Sequence, residues 1–384
     1  MSPNNSDTNP EESLLDRRLR ELFAESDSEL FHTTRSIMDT FMQNEQSFTP
    51  ILRYKDGDVE NLFTREEESY YDLFEPLYGE RRKVPIELSD KEEVNSSRRG
   101  QSFKISLAYK GEMFCGWQIQ LQNDVPSVQQ TIIDCLDPIL KNYEDVHSRR
   151  KKKMDKPIDV RVCGRTDAGV SAISQVCRAR TTKSVEDVCP SDIQQAINSS
   201  NKGRSGSITC TEVVRVSDKF HPTFGATHRA YVFCLDSSPL VSLAKSFGCN
   251  ATIKEISLIM DVMLQSIEGK ELDFFSLSFG KVKTETTLCE LPIARAVLVE
   301  TNDCEAAIAI HLVGDRFLRR MVRILVATVL RETISIMRDE EDIDICLHHA
   351  KERLISIINS HDRIQSAKAA SSNGLIFVGA RFND

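Results

Sequence analysis

The sequence predicts a globular α+β protein, because two different hydrophobic periods alternate along its 384 residues. Residues 102–109 alternate apolar and polar side chains, which is the period of a strand with one buried face. Residues 128–140 place apolar side chains three or four positions apart, which is the period of an amphipathic helix. An apolar fraction of 40% is enough to build a sizeable core.

Charge divides the chain into two unlike parts. Residues 1–100 contain 13 Lys+Arg and 23 Asp+Glu, a net charge of −10, whereas residues 101–384 have a net charge of +1. The first hundred residues are therefore predicted to be a separate acidic extension. The near-neutral remainder can still present a basic face to phosphates if its arginines cluster, so the overall acidity does not exclude a nucleic-acid partner.

The acidic extension is predicted to be partly helical and partly disordered. Residues 1–12 are rich in Asn, Ser, Pro and acidic side chains, which is typical of disorder. Residues 13–24 and 30–42 predict two amphipathic helices, whose apolar stripe forms either a small core or a docking surface. Residues 55–100 predict a partly ordered acidic segment that ends in a linker. This segment contains an aromatic patch at Tyr70, Tyr71 and Phe74.

From residue 101 onward, the two periods predict a series of strands and helices, with Ser127 capping the first helix. Strands are predicted at 102–109, 158–163, 175–182, 207–216, 292–298, 307–312 and 374–382. Residues 220–233 predict a turn followed by a further strand. Helices are predicted at 128–140, 191–199, 253–267 and 343–358. A further long helix is predicted to begin within residues 314–323, and a loop is predicted at 274–277.

A basic run, residues 147–156, interrupts this series with six Lys or Arg in ten positions. The run is interpreted equally well as a solvated insertion or as a contact for RNA phosphates. A nuclear import signal is a third interpretation.

The cysteines and the apolar runs indicate the cellular setting. The chain has 11 cysteines, an odd number, with no CxxC pair, which predicts reduced thiols rather than disulfides or a zinc site. No apolar run approaches 18 residues, and residues 1–12 are unlike a signal peptide. We therefore expect no membrane partner and a cytoplasmic or nuclear location.

The stretch from Arg161 to Ala172 is the strongest candidate for a functional site. A predicted strand ends at Gly164, and Asp167 follows between Gly164 and Gly169, which permit close approach of a ligand. Arg165 is near enough in sequence to stabilise the ionised form of Asp167, as a nucleophile or base requires. The alternative is an ordinary surface turn. The two glycines that flank Asp167 and the strand that follows favour a functional site over a surface turn.

Two further clusters could recognise a nucleic acid. Arg229 and Tyr231 lie on one face of a predicted strand, where they could bond to and stack on a base, although a half-buried strand aromatic is the commoner case. Four arginines lie between positions 316 and 323, beside the most apolar helix of the chain. They form either a cationic edge or side chains that extend into water.

These motifs together resemble the TruA family of tRNA pseudouridine synthases. The resemblance rests on Gly116-Trp117-Gln118, Val128-Gln129, Gly164 through Val170, Phe220-His221-Pro222 through Tyr231, Phe317 through Arg323, and Gly374-Leu375, in the family's order over residues 103–382. It implies a TruA-like fold in which two pseudo-symmetric halves, residues 101–235 and 236–384, share a mainly antiparallel sheet with flanking helices. The implied reaction is the isomerisation of uridine to pseudouridine in the tRNA anticodon stem-loop, at positions 38 to 40, without cofactor or metal.

The resemblance also implies roles for individual residues. Asp167 corresponds to the catalytic aspartate, Tyr231 to the tyrosine that stacks on the target uracil, and Arg323 to the arginine that pairs with the carboxylate. Arg165 would then lie beside the flipped nucleotide, rather than act as the ion-pair partner. Substrate binding is assigned to Arg165, Arg229, Phe317 and Leu375. The sequence does not decide whether Asp167 attacks covalently or abstracts a sugar proton.

The sequence departs from the bacterial pattern at Ser171, where histidine is usual, and at Ala327, where glycine is usual. Neither change removes a catalytic group, but the first weakens the inference of bacterial-type target choice. Two rival functions remain open at this stage. One is an RNA-binding protein that keeps the fold without catalysis, and the other is a scaffold that uses the N-terminal helices. The sequence also leaves homodimerisation open.

Overall fold

The structure is a computed structural model that describes residues 13–24, 29–43, 53–54, 100–120, 123–141, 158–282, 285–301 and 304–382. Several sequence predictions lie outside these residues. They are the disordered start at 1–12, the basic run at 147–156, and the partly ordered acidic segment and linker predicted at 55–100, of which only residue 100 is described. The aromatic patch at Tyr70, Tyr71 and Phe74 lies within that segment.

The helices are amphipathic, and several begin at side-chain caps. Ser127 accepts a hydrogen bond from Gln130 N, as predicted, and Thr252 forms a reciprocal capping box with Glu255. The helices are α1 (Leu14–Ala24), α2 (His32–Gln43), α3 (Val128–Leu140), α4 (Pro190–Asn198), α5 (Asn201–Arg204), α6 (Ser237–Ser246), α7 (Ile253–Gln265), α8 (Met321–Asp339) and α9 (Ile343–Asn359).

The strands are β1 (Arg53–Tyr54), β2 (Gln101–Tyr109), β3 (Val160–Val162), β4 (Ser171–Thr181), β5 (Ile208–Val216), β6 (Ala226–Asp236), β7 (Glu271–Asp273), β8 (Leu288–Glu290), β9 (Ile293–Thr301), β10 (Cys304–Gly314) and β11 (Leu375–Phe382). Within the described residues, nine of them form one sheet in the order β1-β9-β10-β6-β11-β4-β2-β5, with β3 paired to β4 beside this path. β7 and β8 form a separate hairpin.

The last strand occupies the middle of the sheet. β11 pairs antiparallel with β6 and parallel with the start of β4, where Ile376 lies opposite Ser171. The other strand pairs in the described residues are antiparallel. This position of β11 brings the turn before Leu375 against the loop that precedes β4.

The prediction of a mixed protein with a mainly antiparallel sheet and flanking helices is confirmed. Several elements differ in extent or type from prediction. β4 begins at Ser171 rather than Gln175, because its first residues pair with β11. The helix predicted to begin within 314–323 starts at Met321, after Arg320 adopts a left-handed conformation with φ of 59°. The loop at 274–277 is a 3-10 turn that Asp273 caps.

Hydrophobic side chains cover both faces of the sheet. On one face, β2 and β4 pack with α3 and α4, whereas β6 and β10 pack with α6, α7, α8 and α9. The alternate side chains of β6 and β10 point to the opposite face, where they contact α2. The sheet therefore forms a middle layer between helices that pack on its two faces.

The N-terminal helices dock onto the sheet and helices rather than forming a core of their own. Leu19 of α1 joins the hydrophobic cluster that contains α8, and Phe31 packs edge-on against Phe233 with ring centroids 6.2 Å apart. Thr33 N donates to the Asp236 carboxylate at 3.2 Å. Of the two predicted alternatives, the docking surface is the one observed. We call residues 13–43 the N-terminal arm.

Two findings bear on the predicted setting. Ten of the cysteines in the described part of the chain are free thiols. No helix in the described ranges is both long and apolar enough to cross a membrane.

Candidate active site

The loop that carries Asp167 connects β3 to β4 and is held by a neighbouring loop. Trp117 N donates to Thr166 O at 3.1 Å, and the Tyr109 hydroxyl lies 2.8 Å from Thr166 Oγ1. Gly116 has a φ of 101°, and a Cβ there would lie 3.0 Å from Ala168 N. Only glycine allows this approach without strain, so the Gly116-Trp117 motif supports the backbone on each side of Asp167.

Of the two glycines that flank Asp167, only one occupies a position where a side chain would not fit. Gly169 has a φ of 85°, and a Cβ there would lie 2.6 Å from Ser372 Oγ. At Gly164 a Cβ would meet only ordinary contacts, at 3.9 Å from Arg229 Nε and from Tyr231 Oη. The predicted need for glycine is confirmed at Gly169. At Gly164, the missing side chain instead leaves open space between Tyr231 and Arg229.

Asp167 is paired with arginines that come from the start of α8. Arg323 Nη1 donates to Asp167 Oδ2 at 2.9 Å, and Arg320 Nε lies 3.8 Å from the same oxygen. The Asp167 side chain is nevertheless 43% exposed. Both contacts involve Oδ2.

The interpretation of Arg165 as the stabilising cation is wrong. Arg165 is exposed, and the ion pairs that Asp167 forms within the described residues involve Arg320 and Arg323 instead. Two residues in a turn can point in different directions, so closeness in sequence does not ensure contact. The pairing implied by the family resemblance, between Arg323 and Asp167, is the one observed.

Arg323 is held in place from two directions. Its Nε donates to Ala370 O at 2.7 Å, while Nη1 contacts Asp167. The side chain is only 15% exposed. Burial lowers the pKa of Arg323, and the Asp167 carboxylate opposes that shift. Because the ordinary pKa of arginine is so high, the guanidinium stays charged at neutral pH.

Tyr231 is half-buried in an aromatic cluster beside the loop. Its ring meets Phe317 and Phe377 edge-on, with centroids 5.0 and 5.2 Å away. Burial raises the pKa of the Tyr231 hydroxyl, which therefore keeps its proton at neutral pH. Phe377 was not among the predicted site residues. Its alternating position in β11 marked it as apolar, but only the placement of that strand brings it to Tyr231.

Two of the other predicted binding residues, Arg229 and Phe317, also lie at this site. Arg229 donates to the carbonyls of Thr223 and Asp315 at 2.7 and 2.9 Å, so it ties together two loops beside Gly164. Phe317 covers one side of Tyr231. Leu375 is 5% exposed at the start of β11 and belongs to the hydrophobic cluster that contains α8.

Sequence reasoning did not identify two residues that shape the site. Arg320 stacks on Phe279, with its guanidinium carbon 4.2 Å from the ring centroid, while its Nε lies near Asp167. The run of arginines was evident, but the left-handed turn at Arg320 was not. Tyr109 is the second missed residue, and burial raises the pKa of its hydroxyl to about 12.

Ser171 stands where the bacterial pattern has histidine, and its hydroxyl has a structural contact. Ser171 Oγ accepts a hydrogen bond from Gly111 N at 3.0 Å. A Cβ at Gly111 would lie 2.3 Å from the Val170 carbonyl carbon, so this is a very close backbone approach. Ala327 is 1% exposed within α8, where its methyl group belongs to the core.

The arrangement suits the chemistry of a carboxylate that acts on a polar, planar substrate. An aspartate that is 43% exposed lies against two arginines, and a protonated phenol in an aromatic cluster lies nearby. Such a carboxylate can act as a nucleophile or as a base.

Comparison with known proteins identifies the relatives of the chain. A relative from Bdellovibrio bacteriovorus is 27% identical over 279 residues, which cover 72% of this chain and 92% of the relative. A relative from Francisella tularensis subsp. novicida is 25% identical over 288 residues, covering 73% and 94%. A relative from Chlorobium chlorochromatii is 26% identical over 231 residues, covering 60% and 84%. Each is named tRNA pseudouridine synthase A.

No protein-family model matches the chain. The predicted resemblance to the TruA family is nevertheless confirmed by these relatives, which match along most of their own length. The predicted kind of enzyme, a pseudouridine synthase, is the kind that their names state.

Proposed function

We propose that this chain is a tRNA pseudouridine synthase, an isomerase that converts uridine to pseudouridine in the anticodon stem-loop of tRNA, at positions 38 to 40. The names of the relatives support the enzyme class and the tRNA substrate. The family resemblance supports the stem-loop as the target. The proposed sites of action are the cytoplasm and the nucleus.

The observation that carries this proposal is the 2.9 Å contact between Arg323 Nη1 and Asp167 Oδ2. It fixes Asp167 Oδ2 against a cation, while the Asp167 side chain stays 43% exposed. An ordinary surface pair would not need a cation that is itself 15% exposed and anchored to Ala370 O. The catalytic residues in this proposal are Asp167, Arg323 and Tyr231.

The proposed reaction exchanges one bond of the uracil for another. The bond from ribose C1′ to uracil N1 breaks, and the bond from C1′ to uracil C5 forms. C5 loses its proton to solvent or a protein group, and N1 gains a proton from solvent or a protein group. Asp167 either attacks the sugar or removes a sugar proton. Tyr231 keeps its proton, so it is better suited to packing on the base and donating a hydrogen bond than to proton abstraction.

The substrate uridine must leave its stack to reach Asp167, which costs a few kcal/mol of unstacking. We propose that Phe317 and Leu375 offer apolar contacts to the base. Arg165, which is exposed and not paired with Asp167, is proposed to contact the nucleotide that moves. Arg229 is proposed to act near the same place, although two of its donors already serve backbone carbonyls.

We also propose that residues 101–235 and 236–384 form two pseudo-symmetric halves. Two hydrophobic clusters on one face of the sheet support this division. One cluster comes mainly from residues 103–210 and the other mainly from residues 233–375. Asp167 and Arg323 would then lie on opposite sides of the cleft between the halves.

The test is the Asp167→Asn variant, assayed for pseudouridine on anticodon stem-loop transcripts. We expect loss of product with unchanged melting temperature, because the amide is nearly the same size but is a poor nucleophile and base. The matched control is Asp339→Asn. Asp339 pairs with Arg338 at the same 2.9 Å distance, at the other end of α8, and is expected to be dispensable.

Product formation by Asp167→Asn at the rate of the unchanged protein would overturn the proposal. RNA binding without product in the unchanged protein would favour the rival function, an RNA-binding protein that keeps this fold without catalysis.

A further inference from the structure

An aromatic side chain lies exposed beside the loop that carries Asp167. Phe224, in the turn between β5 and β6, is 84% exposed, whereas Phe279 at the edge of the site is 44% exposed. Burying such an exposed ring against a ligand or partner is favourable.

The turn that carries Phe224 is well ordered by hydrogen bonds. Gly225 N donates to His221 O at 2.8 Å, and the backbone N–H groups of Thr223 and Phe224 approach His221 Nδ1 at 3.3 Å. A Cβ at Gly225 would lie 2.9 Å from His221 O, so glycine permits the tight closure. The ring of Phe224 is thus held outward by a fixed backbone.

His221 and Phe224 form a continuous aromatic surface. Their ring centroids are 4.5 Å apart with an interplanar angle of 32°. Burial and the nearby Arg161 and Arg178 lower the pKa of His221, so the imidazole is neutral at neutral pH. We call this pair the His221–Phe224 platform.

The platform is joined directly to the candidate active site. Thr223 Oγ1 donates to Val162 O at 2.7 Å, and Val162 is the last residue of the strand that leads into the Asp167 loop. Thr223 O accepts from Arg229, whose Nε lies beside Gly164. Asp167 follows Val162 by five residues, so their Cα atoms are within about 18 Å of one another.

A cation lies against the same surface. Arg161 Nη1 is 3.3 Å from His221 Nε2, and the Arg161 side chain, which pairs through Nε with Asp159, is 50% exposed. Aromatic faces next to basic side chains are the features by which proteins bind single-stranded nucleic acid, since each base has a face that can stack and each nucleotide carries a phosphate.

We propose that the His221–Phe224 platform binds an unpaired base of the substrate RNA, one that neighbours the target uridine in the anticodon loop. The inference rests on the proposed function for the choice of RNA. The exposed face of Phe224 stacks on the base, and Arg161 lies where it can contact the adjoining phosphate. A stacked neighbour would fix the register of the loop relative to Asp167.

The first test compares variants of Phe224 in binding an anticodon stem-loop transcript. Phe224→Ala is expected to weaken binding about 5- to 100-fold, which is the range for loss of one base–aromatic stack. Phe224→Tyr keeps the aromatic face and is expected to bind within about two-fold of the unchanged protein, whereas Phe224→Leu keeps bulk without the face and is expected to resemble Phe224→Ala.

A second test uses fluorescence. The chain has one tryptophan, Trp117, which is 1% exposed, so Phe224→Trp adds an exposed reporter to a buried background. RNA is expected to quench the new signal. Leu258→Trp, at a 44% exposed position in α7, is the control and is expected to show no quenching.

Equal binding by the unchanged protein and Phe224→Ala, or no quenching of Phe224→Trp by saturating RNA, would overturn the platform. Steady-state kinetics provide a separate check, because loss of the stack raises KM for RNA while kcat at saturation stays near that of the unchanged protein. Absence of pseudouridine from the unchanged protein would overturn the proposed function instead, and the binding comparison would still decide the platform.

Discussion

Arg323 Nη1 donates to Asp167 Oδ2 across 2.9 Å, although 156 residues separate the two in sequence. The same arginine donates through Nε to Ala370 O. Arg323 therefore joins the catalytic-loop candidate, the long helix α8 and the turn that precedes β11. Since each of these comes from a different part of the chain, the site exists only when the whole sheet is assembled.

The geometry of Arg323 predicts that a lysine cannot replace it. Arg323→Lys keeps the positive charge but cannot bond to Asp167 and Ala370 O at once, because an ammonium lacks the fork of a guanidinium. We expect kcat to fall about 100-fold, the scale of a small misplacement of a catalytic group. The control is Arg338→Lys, from the pair of the same length at the other end of α8. Equal kcat for the two variants would contradict a positioning role for Arg323.

The close approach at Gly169 predicts that an alanine there lowers the free energy of unfolding by more than backbone strain alone would. Gly169→Ala places a Cβ at a φ of 85° and 2.6 Å from Ser372 Oγ. The matched control is Gly206→Ala, which has a φ of 68° but open space around the new Cβ. We expect Gly206→Ala to cost about 1–2 kcal/mol of unfolding free energy from strain, and Gly169→Ala to cost more. Denaturant unfolding of both variants checks the difference, and equal losses would remove Ser372 from the explanation.

Docking of the N-terminal arm predicts that the arm stabilises the sheet. Phe31 is fully buried against Phe233 and Gly374, so Phe31→Ala is expected to lower the free energy of unfolding by about 3–5 kcal/mol. Leu14→Ala, at a 62% exposed position of α1, is expected to change it by less than about 0.5 kcal/mol. Denaturant midpoints measure both. If Phe31→Ala were as stable as Leu14→Ala, the arm would not be part of the folded unit.

The buried His311 predicts a loss of stability in acid. Burial lowers the pKa of His311 to about 3, whereas in the unfolded chain it is about 6.5. The unfolded state therefore binds more protons between these values, and stability falls as pH decreases from about 6.5 toward 3. From pH 6.5 to 5 the contribution of this residue is about 1–2 kcal/mol.

The His311→Gln variant tests this pH dependence, because glutamine does not titrate. Unfolding free energies of both proteins are measured at pH 6.5 and 5.0, and the unchanged protein is expected to lose about 1–2 kcal/mol more than the variant. Parallel pH profiles would show that His311 is not the group responsible.

The sequence by itself determined the local elements and the chemical groups of the candidate site. The strand at 102–109 and the helix at 128–140 were predicted because their periods depend only on neighbouring residues. Asp167 and Tyr231 were identified because a carboxylate between glycines and an aromatic on a strand are local patterns. The sequence could not decide whether the N-terminal arm docks or forms its own small core. An amphipathic helix shows which of its faces is apolar but not what covers that face.

Only the tertiary structure decided which of these groups meet. Arg165 is two residues from Asp167 yet does not pair with it, whereas Arg320 and Arg323 reach it from a distant helix. Phe377 meets Tyr231 because β11 inserts between β6 and β4. The physical reason is that hydrophobic period is a short-range property, while the order of strands and the partner of a charge depend on which apolar faces bury one another across the whole chain.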